Sequence, residues 1–207
     1  MLKERWDALC IGTPTNTVFA IIEGAYTEPH RKYHTLDHLR TCFAEFDAVK
    51  DKLNNPVDVE LAIWFHDLVY LIGPKDNEEQ SAIDACVCLR HLGCVSHTWS
   101  TVHDMILATR HNTVVTNHDT QYLVDIDLAG LGYSWEKFIE YDRQIREEFD
   151  AVEPKVFAAG RLGFIDGMLK KERIYYTDYF FNKYEASARA NLAKLRAVYE
   201  NMLKEAK

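Results

Sequence analysis

Apolar side chains recur at three- and four-residue steps along most of this 207-residue chain. The clearest stretch begins at Thr35. Its apolar residues are Leu36, Leu39, Phe43, Phe46 and Leu53. This spacing places side chains on one face of an α-helix, whereas a half-buried strand would alternate at every second residue. We find no convincing alternating stretch and no internal repeat, so the sequence predicts an all-α protein of about eight to ten helices.

Proline, glycine and small polar residues divide the helical stretches and predict where each helix begins. The predicted N-caps are Thr13, Asp76 or Asn77, Ser96 and Ser134. Pro14, Pro56 and Pro154 are predicted at first turns, where a missing N–H costs nothing. The predicted helices cover residues 14–25, 35–53, 56–66, 77–92, 96–110, 120–128, 135–149, 154–171 and 178–204.

Length and composition predict one compact domain over residues 1–207. A hydrophobic fraction of 47% and a charged fraction of 27% are typical of a soluble globular protein. Apolar runs are too short for a transmembrane helix, and the N-terminal sequence lacks the apolar core of a signal peptide. Five cysteines, an odd number, fit a reducing compartment. We therefore expect a cytoplasmic protein.

The net charge of −8 predicts that the protein has neither a nucleic-acid surface nor a surface for anionic membranes. It leaves room for a small phosphorylated partner, because a bound metal and a few local cations can reverse the potential of one pocket. A homodimer is compatible with the sequence.

Histidine and aspartate recur in separate segments of the chain. If a helix begins near Tyr33, His34 and His38 project from one face about one turn apart. The pair His66–Asp67 directly follows an apolar run. A buried carboxylate needs a partner, and a divalent metal held by imidazole and carboxylate would supply one. The alternative is an aspartate that caps a neighbouring helix beside a core histidine.

A third acidic element, Asp125 and Asp127, lies in an apolar stretch that is predicted to be helical. Two residues that are two positions apart on a helix face different directions. We therefore expect only one of these carboxylates to reach a site shared with the histidines.

This ordered set resembles the HD superfamily of metal-dependent phosphohydrolases, and in particular a small branch of predicted HD phosphohydrolases. The resemblance extends from about residue 26 to about residue 195. The matching segments are PHRKYH (29–34), WFHD (64–67), DNEEQSA (76–82), ATRH (108–111), DIDL (125–128), GR (160–161) and RIY (173–175).

The resemblance implies a single HD-like helical domain whose metal ligands are His38, His66, Asp67 and Asp127. It favours Asp127 over Asp125 and gives His34 the role of general acid or substrate contact. The mixed nitrogen and oxygen set suits one divalent transition metal, Mn, Fe, Co, Ni or Zn, with Mg also acceptable. No second histidine directly follows the His-Asp pair, so a second metal is an open question, although His111 could supply a ligand.

The resemblance also implies catalytic and substrate-binding groups. A divalent metal would activate water for attack at phosphorus. Glu78 or Glu79 could act as general base, although acidic residues there also stabilise a helix start. The candidate substrate contacts are His30, Arg31, Arg110, His111 and Arg161. Arginine binds phosphate as a bidentate fork, while a solvated surface cation is the alternative for each.

Three functions are compatible with these residues. The favoured one is a metal-dependent phosphohydrolase acting on a small phosphorylated or nucleotide substrate. The alternative is a non-catalytic helical module that binds metal and nucleotide as a sensor. The third is a structural helical protein in which the histidines are incidental.

Overall fold

A computed structural model describes residues 2–10 and 16–205. Over these residues the protein has ten α-helices, two short 3-10 turns (Lys50–Lys52 and Ala129–Gly132) and no strand, which confirms the predicted all-α class. The helices are α1 (Leu2–Leu9), α2 (Asn16–Ala25), α3 (Leu36–Val49), α4 (Pro56–Phe65), α5 (Asn77–His91), α6 (Ser96–Ala108), α7 (His118–Leu128), α8 (Trp135–Glu148), α9 (Pro154–Lys170) and α10 (Asp178–Glu205). No helix of the described part combines the length and the hydropathy that a bilayer crossing requires.

Local sequence signals predicted most helix starts and missed others. Ser134 caps α8 by accepting a hydrogen bond from the Lys137 amide at 3.4 Å, as predicted. The predicted cap at Ser96 is wrong, because Val95 occupies that position and makes no side-chain cap. Asp76 is the N-cap residue of α5, also without a side-chain bond to a helix amide. The predicted cap and first turn at residues 13 and 14 lie outside the described residues.

Helix α1 was not predicted, and a buried tryptophan explains how it is held. Trp6 is fully buried and packs edge-on against Trp64, with ring centroids 5.4 Å apart. Arg5 of the same helix donates from Nε to Glu60 at 2.5 Å. Eight residues make barely two turns, which is too short for a helical period to stand out in the sequence.

The chain divides into two compact units, and the boundary between Ile126 and Asp127 falls inside α7. In the first unit α4 is the central helix, since its residues from Asp58 to Phe65 are all buried. It packs against α3, α5 and α6. An α-helix that is buried on every side lies in the interior of the protein. His66 directly follows α4 and is therefore placed in the interior as well.

In the second unit α10 packs on α9 and on the 3-10 turn Ala129–Gly132. The approach at Gly132 is so close that an added Cβ would lie 2.4 Å from the Cβ of Tyr184. Asn191 on α10 donates to the carbonyls of Leu131 and Tyr133, both at 2.9 Å. The turn is therefore fixed by both packing and hydrogen bonds. That the whole chain forms one domain stays a prediction.

Candidate metal centre

His66 caps the C-terminal end of α4 with its ring held in one orientation. Its Nδ1 lies 2.9 Å from the carbonyl oxygen of Ile63. Because a carbonyl only accepts, Nδ1 carries the hydrogen, and in the neutral ring Nε2 keeps its lone pair. This arrangement is the usual way in which proteins orient a metal-binding histidine.

Two further potential ligand atoms converge beside that nitrogen. Nε2 of His38, in the first turn of α3, lies 3.1 Å from Nε2 of His66. Oδ2 of Asp67 lies 3.0 Å from Nε2 of His66 and 3.5 Å from Nε2 of His38. Both histidines are buried, while the Asp67 side chain keeps 19% of its surface exposed. The structure thus brings together three of the predicted ligands.

These distances fit a divalent cation. Ligands at about 2.0–2.1 Å from a metal lie about 2.9–3.4 Å from one another at octahedral to tetrahedral angles. The three measured separations run from 3.0 to 3.5 Å. A cation between these atoms would therefore need only small side-chain adjustments.

The charge of Asp67 suits the same role. Burial alone would raise the pKa of its carboxyl, but His66, His34 and His38 outweigh burial and hold the pKa well below its usual range. The carboxylate is therefore anionic at neutral pH and available as a ligand.

One further side chain joins the histidines. One ligand atom from each of His38, Cys42 and His66 lies within 4.8 Å of the others. Asp127 is the first residue of the second unit, and its role as a ligand in preference to Asp125 stays a prediction. Cys42 was not predicted, and the signal that could have found it is its position four residues after His38 on one helix.

His34 does not lie on the helix that carries His38, contrary to the expectation of a shared helical face. It does lie close to His38, as expected. Helix α3 begins at Leu36 with Thr35 as its N-cap, so His34 lies in the turn before the helix. Its ring stacks on Tyr70 with centroids 3.9 Å apart and lies 5.9 Å from the ring of His38. His34 is half-exposed, so it lies close to the buried histidines and remains accessible.

Arg31 is 4% exposed, which is unlike a solvated surface cation. Its guanidinium donates to the carbonyls of Asp67 at 2.6 Å and of Leu68 at 2.8 Å. Nε donates to Glu28 at 2.9 Å. The guanidinium is therefore engaged in holding the chain around Asp67, and its predicted contact with substrate stays a prediction.

The backbone of residues 67–71, here called the clamped segment, is held by side chains throughout. Asn77 donates to the carbonyl of Leu71 at 2.9 Å and accepts from its amide at 3.1 Å. Ser81 makes the same pair of bonds with Val69, at 3.3 and 3.0 Å. The remaining contacts are His30 Nε2 with the Tyr70 carbonyl at 2.8 Å and the Asp67 amide donating to the Tyr26 hydroxyl at 3.2 Å. The segment that carries Asp67 is thus rigidly placed.

The predicted residues Glu78 and Arg110 lie together at a second place in the first unit. Nε of Arg110 lies 3.5 Å from a Glu78 carboxylate oxygen, and Arg110 also pairs with Glu79. Glu78 and Arg110 line a polar cavity of about 310 Å³. His111 follows with a left-handed backbone (φ 57°).

The predicted substrate contact Arg161 belongs to the second unit. It donates twice to Asp142, at 3.0 and 2.7 Å, and Asp142 also accepts from the Tyr199 hydroxyl at 2.5 Å. The charge of Arg161 is therefore balanced by Asp142 within the second unit. Its contact with substrate stays a prediction.

The His-Asp pair at 66–67 differs from the two other His-Asp pairs in the chain. His103 is 35% exposed and bonds its neighbour Asp104 at 3.0 Å. His118 is 48% exposed and bonds the adjacent Asp119 at 2.7 Å. Burial and convergence with His38 therefore distinguish the pair at 66–67 from ordinary neighbours on a surface.

The fold and this cluster define an all-α protein with a histidine, cysteine and aspartate group that could hold a metal ion. Comparison of the chain with protein-family models, curated proteins and solved structures gave no match.

Proposed function

We propose that the protein is a metal-dependent phosphohydrolase that acts on a small phosphorylated molecule or nucleotide. The observation that supports it best is the convergence of His38, His66 and Asp67 at separations typical of ligands on one cation. The resemblance of the ordered set, with Asp127, to the HD superfamily adds the reaction class.

The ligand side chains prepare the site for a cation. A divalent metal would lower the pKa of a bound water and neutralise charge on phosphoryl oxygens. The bond between His66 and the Ile63 carbonyl directs the other ring nitrogen to the cluster, and Asp67 contributes negative charge. Arg31 acts as a positioning residue, since it holds the backbone on which Asp67 lies.

His34 is the proposed proton donor to the leaving group. It is half-exposed, stacked on Tyr70 and next to the ring of His38, so a substrate held at the cluster comes within its reach. We expect His34→Gln to lower kcat while metal stoichiometry is kept. Metal loss in this variant would instead indicate a ligand role.

Glu78 remains the proposed general base, and His30, Arg110 and His111 remain proposed substrate contacts. Arg110 lies between the carboxylates of Glu78 and Glu79 and pairs with both. A phosphate that binds Arg110 would release the Glu78 carboxylate from this pair, which couples substrate binding to the freeing of a base.

The test is hydrolysis of a panel of phosphomonoesters, cyclic nucleotides and nucleoside phosphates by metal-loaded protein. We expect activity that chelation abolishes and that His66→Ala and Asp67→Asn lose without unfolding. The matched control is the surface pair, His103→Ala and Asp104→Asn, which should retain full activity. No hydrolysis across the panel would count against the proposal.

A second candidate function is a sensor that binds metal and nucleotide without turnover. The observation in its favour is that Arg31, Arg110 and Arg161 are each engaged by protein partners. Stoichiometric nucleotide binding with no product over hours would support the sensor.

A further inference from the structure

Cys42 lies one helical turn after His38, on the same buried face of α3. It is 1% exposed, and its Sγ lies 3.6 Å from Nε2 of His38. A ligand atom of His66 also lies within 4.8 Å of this sulfur. A buried thiol thus lies beside the two imidazoles of the candidate metal centre.

We infer that Cys42 supplies a thiolate ligand, so that the site selects zinc over magnesium or manganese. The inference rests on the metal site of the proposed function and deepens it by naming the class of metal. The S–H bond breaks as the Zn–S bond forms, and the proton leaves to solvent.

The separation of sulfur and nitrogen is of the size found between ligands on one zinc ion. With Zn–S about 2.3 Å and Zn–N about 2.0–2.1 Å, tetrahedral angles place S and N about 3.6 Å apart, and octahedral angles about 3.1 Å. Sγ lies 3.6 Å from Nε2 and 3.9 Å from Nδ1 of His38, so the thiol lies beside the ring and a rotation about the Cα–Cβ bond of Cys42 would bring it onto a metal held by Nε2. His38, Cys42 and His66 with one carboxylate oxygen would make a four-coordinate set.

The chemistry of the ligand atoms determines which metal the site selects. Thiolate is a soft ligand that suits zinc, whereas magnesium and manganese prefer oxygen donors. Imidazole suits zinc as well. A site built only from His38, His66 and carboxylates would discriminate less, so Cys42 is the residue that decides the metal.

The decisive measurement is X-ray absorption of the zinc-loaded full chain. We expect one sulfur scatterer at about 2.3 Å. Loading with cobalt(II) should give a near-ultraviolet sulfur-to-metal charge-transfer band. Cys42→Ser should lose this band and the sulfur scatterer, and its zinc affinity should fall at least about ten-fold, the lower end of what loss of even an outer-shell partner costs.

Cys88→Ser is the matched control, because Cys88 is also buried, at 6% exposed, but lies on α5. It should keep the band, the sulfur scatterer and the zinc affinity. Should Cys42→Ser fail to fold, as judged by circular dichroism, the zinc absorption spectrum of the wild-type chain decides alone.

The outcomes separate this inference from the proposed function. Stoichiometric zinc with only nitrogen and oxygen scatterers overturns the role of Cys42 and leaves the phosphohydrolase standing. A sulfur scatterer without hydrolysis of any substrate supports Cys42 and counts against the enzyme. A chain that binds neither zinc nor cobalt overturns both.

Discussion

Replacing Arg31 by alanine should destabilise the protein as well as weaken its metal site. Arg31 is buried and donates to the carbonyls of Asp67 and Leu68 at 2.6 and 2.8 Å. Hydrogen bonds from a charged group contribute about 1.5–3 kcal/mol each. Two of them give about 3–6 kcal/mol, and rehydration of the freed carbonyls offsets part of this. The Glu28 partner is 43% exposed and adds little.

We therefore expect Arg31→Ala to lower the free energy of unfolding by about 3–5 kcal/mol, because two buried carbonyls lose their charged donor. The assay is urea unfolding of the metal-free protein, followed by circular dichroism. Arg31→Lys should recover part of the loss, since an ammonium cannot reproduce the planar fork. Arg40→Ala is the control: Arg40 pairs with Asp37 on the surface, and its loss should cost less than about 1 kcal/mol.

Metal binding gives a second measurement on the same variant. A displaced Asp67 backbone should weaken zinc binding by about 10–100-fold, as the loss of an outer-shell partner does. If Arg31→Ala unfolds within 1 kcal/mol of the wild type and changes only KM, Arg31 is a substrate contact and the positioning role is refuted.

Three further predictions concern stability. Gly132→Ala should cost about 1–3 kcal/mol, because its Cβ would lie 2.4 Å from the Cβ of Tyr184; in thermal melting, Gly160→Ala, with nothing within 4 Å, should stabilise α9 instead. Burial would raise the pKa of Asp119, but hydrogen bonds from two backbone amides and a histidine lower it. Its contribution is then present above about pH 4, the unfolded value, and is lost as pH falls through the lowered folded pKa. The difference in urea midpoint between wild type and Asp119→Asn should shrink at acid pH, and a constant difference would contradict this. Zinc at about 100 times its Kd should add about 2.7 kcal/mol to the free energy of unfolding, and a melting-temperature shift that persists in His66→Ala would contradict the assigned site.

The start of a helix could be predicted where a single residue fixes the backbone conformation or bonds an amide of the first turn. Pro56 and Pro154 open α4 and α9, and Ser134 caps α8, because their effects extend only one turn. Ser96 misled the prediction, since a serine stabilises the first turn of a helix and its N-cap alike, and the sequence does not separate the two positions.

The sequence predicted which types of residue form the candidate site. It predicted fewer of the contacts that these residues make. The recurrence of histidine and aspartate in separate segments of the chain predicted a shared cluster. The sequence predicts a phosphate contact at Arg31, which stays a prediction, but it does not show that the guanidinium donates to the carbonyls of Asp67 and Leu68. Cys42 was overlooked because a lone cysteine in an apolar helix is usually ordinary core. The Arg31 contacts depend on how distant segments pack, which local spacing does not encode, whereas the four-residue spacing of His38 and Cys42 is present in the sequence.

The clamped segment offers a place to redesign the protein. Its backbone path is set by side chains outside it, including Asn77 and Ser81, which act on Leu71 and Val69 as an adjacent strand would. Leu71 is itself 51% exposed and Val69 is half-buried. A library randomised at these two positions should therefore leave the main chain in place and present new side chains a few residues from Asp67, so that ligand preference could be altered by directed evolution without rebuilding the scaffold.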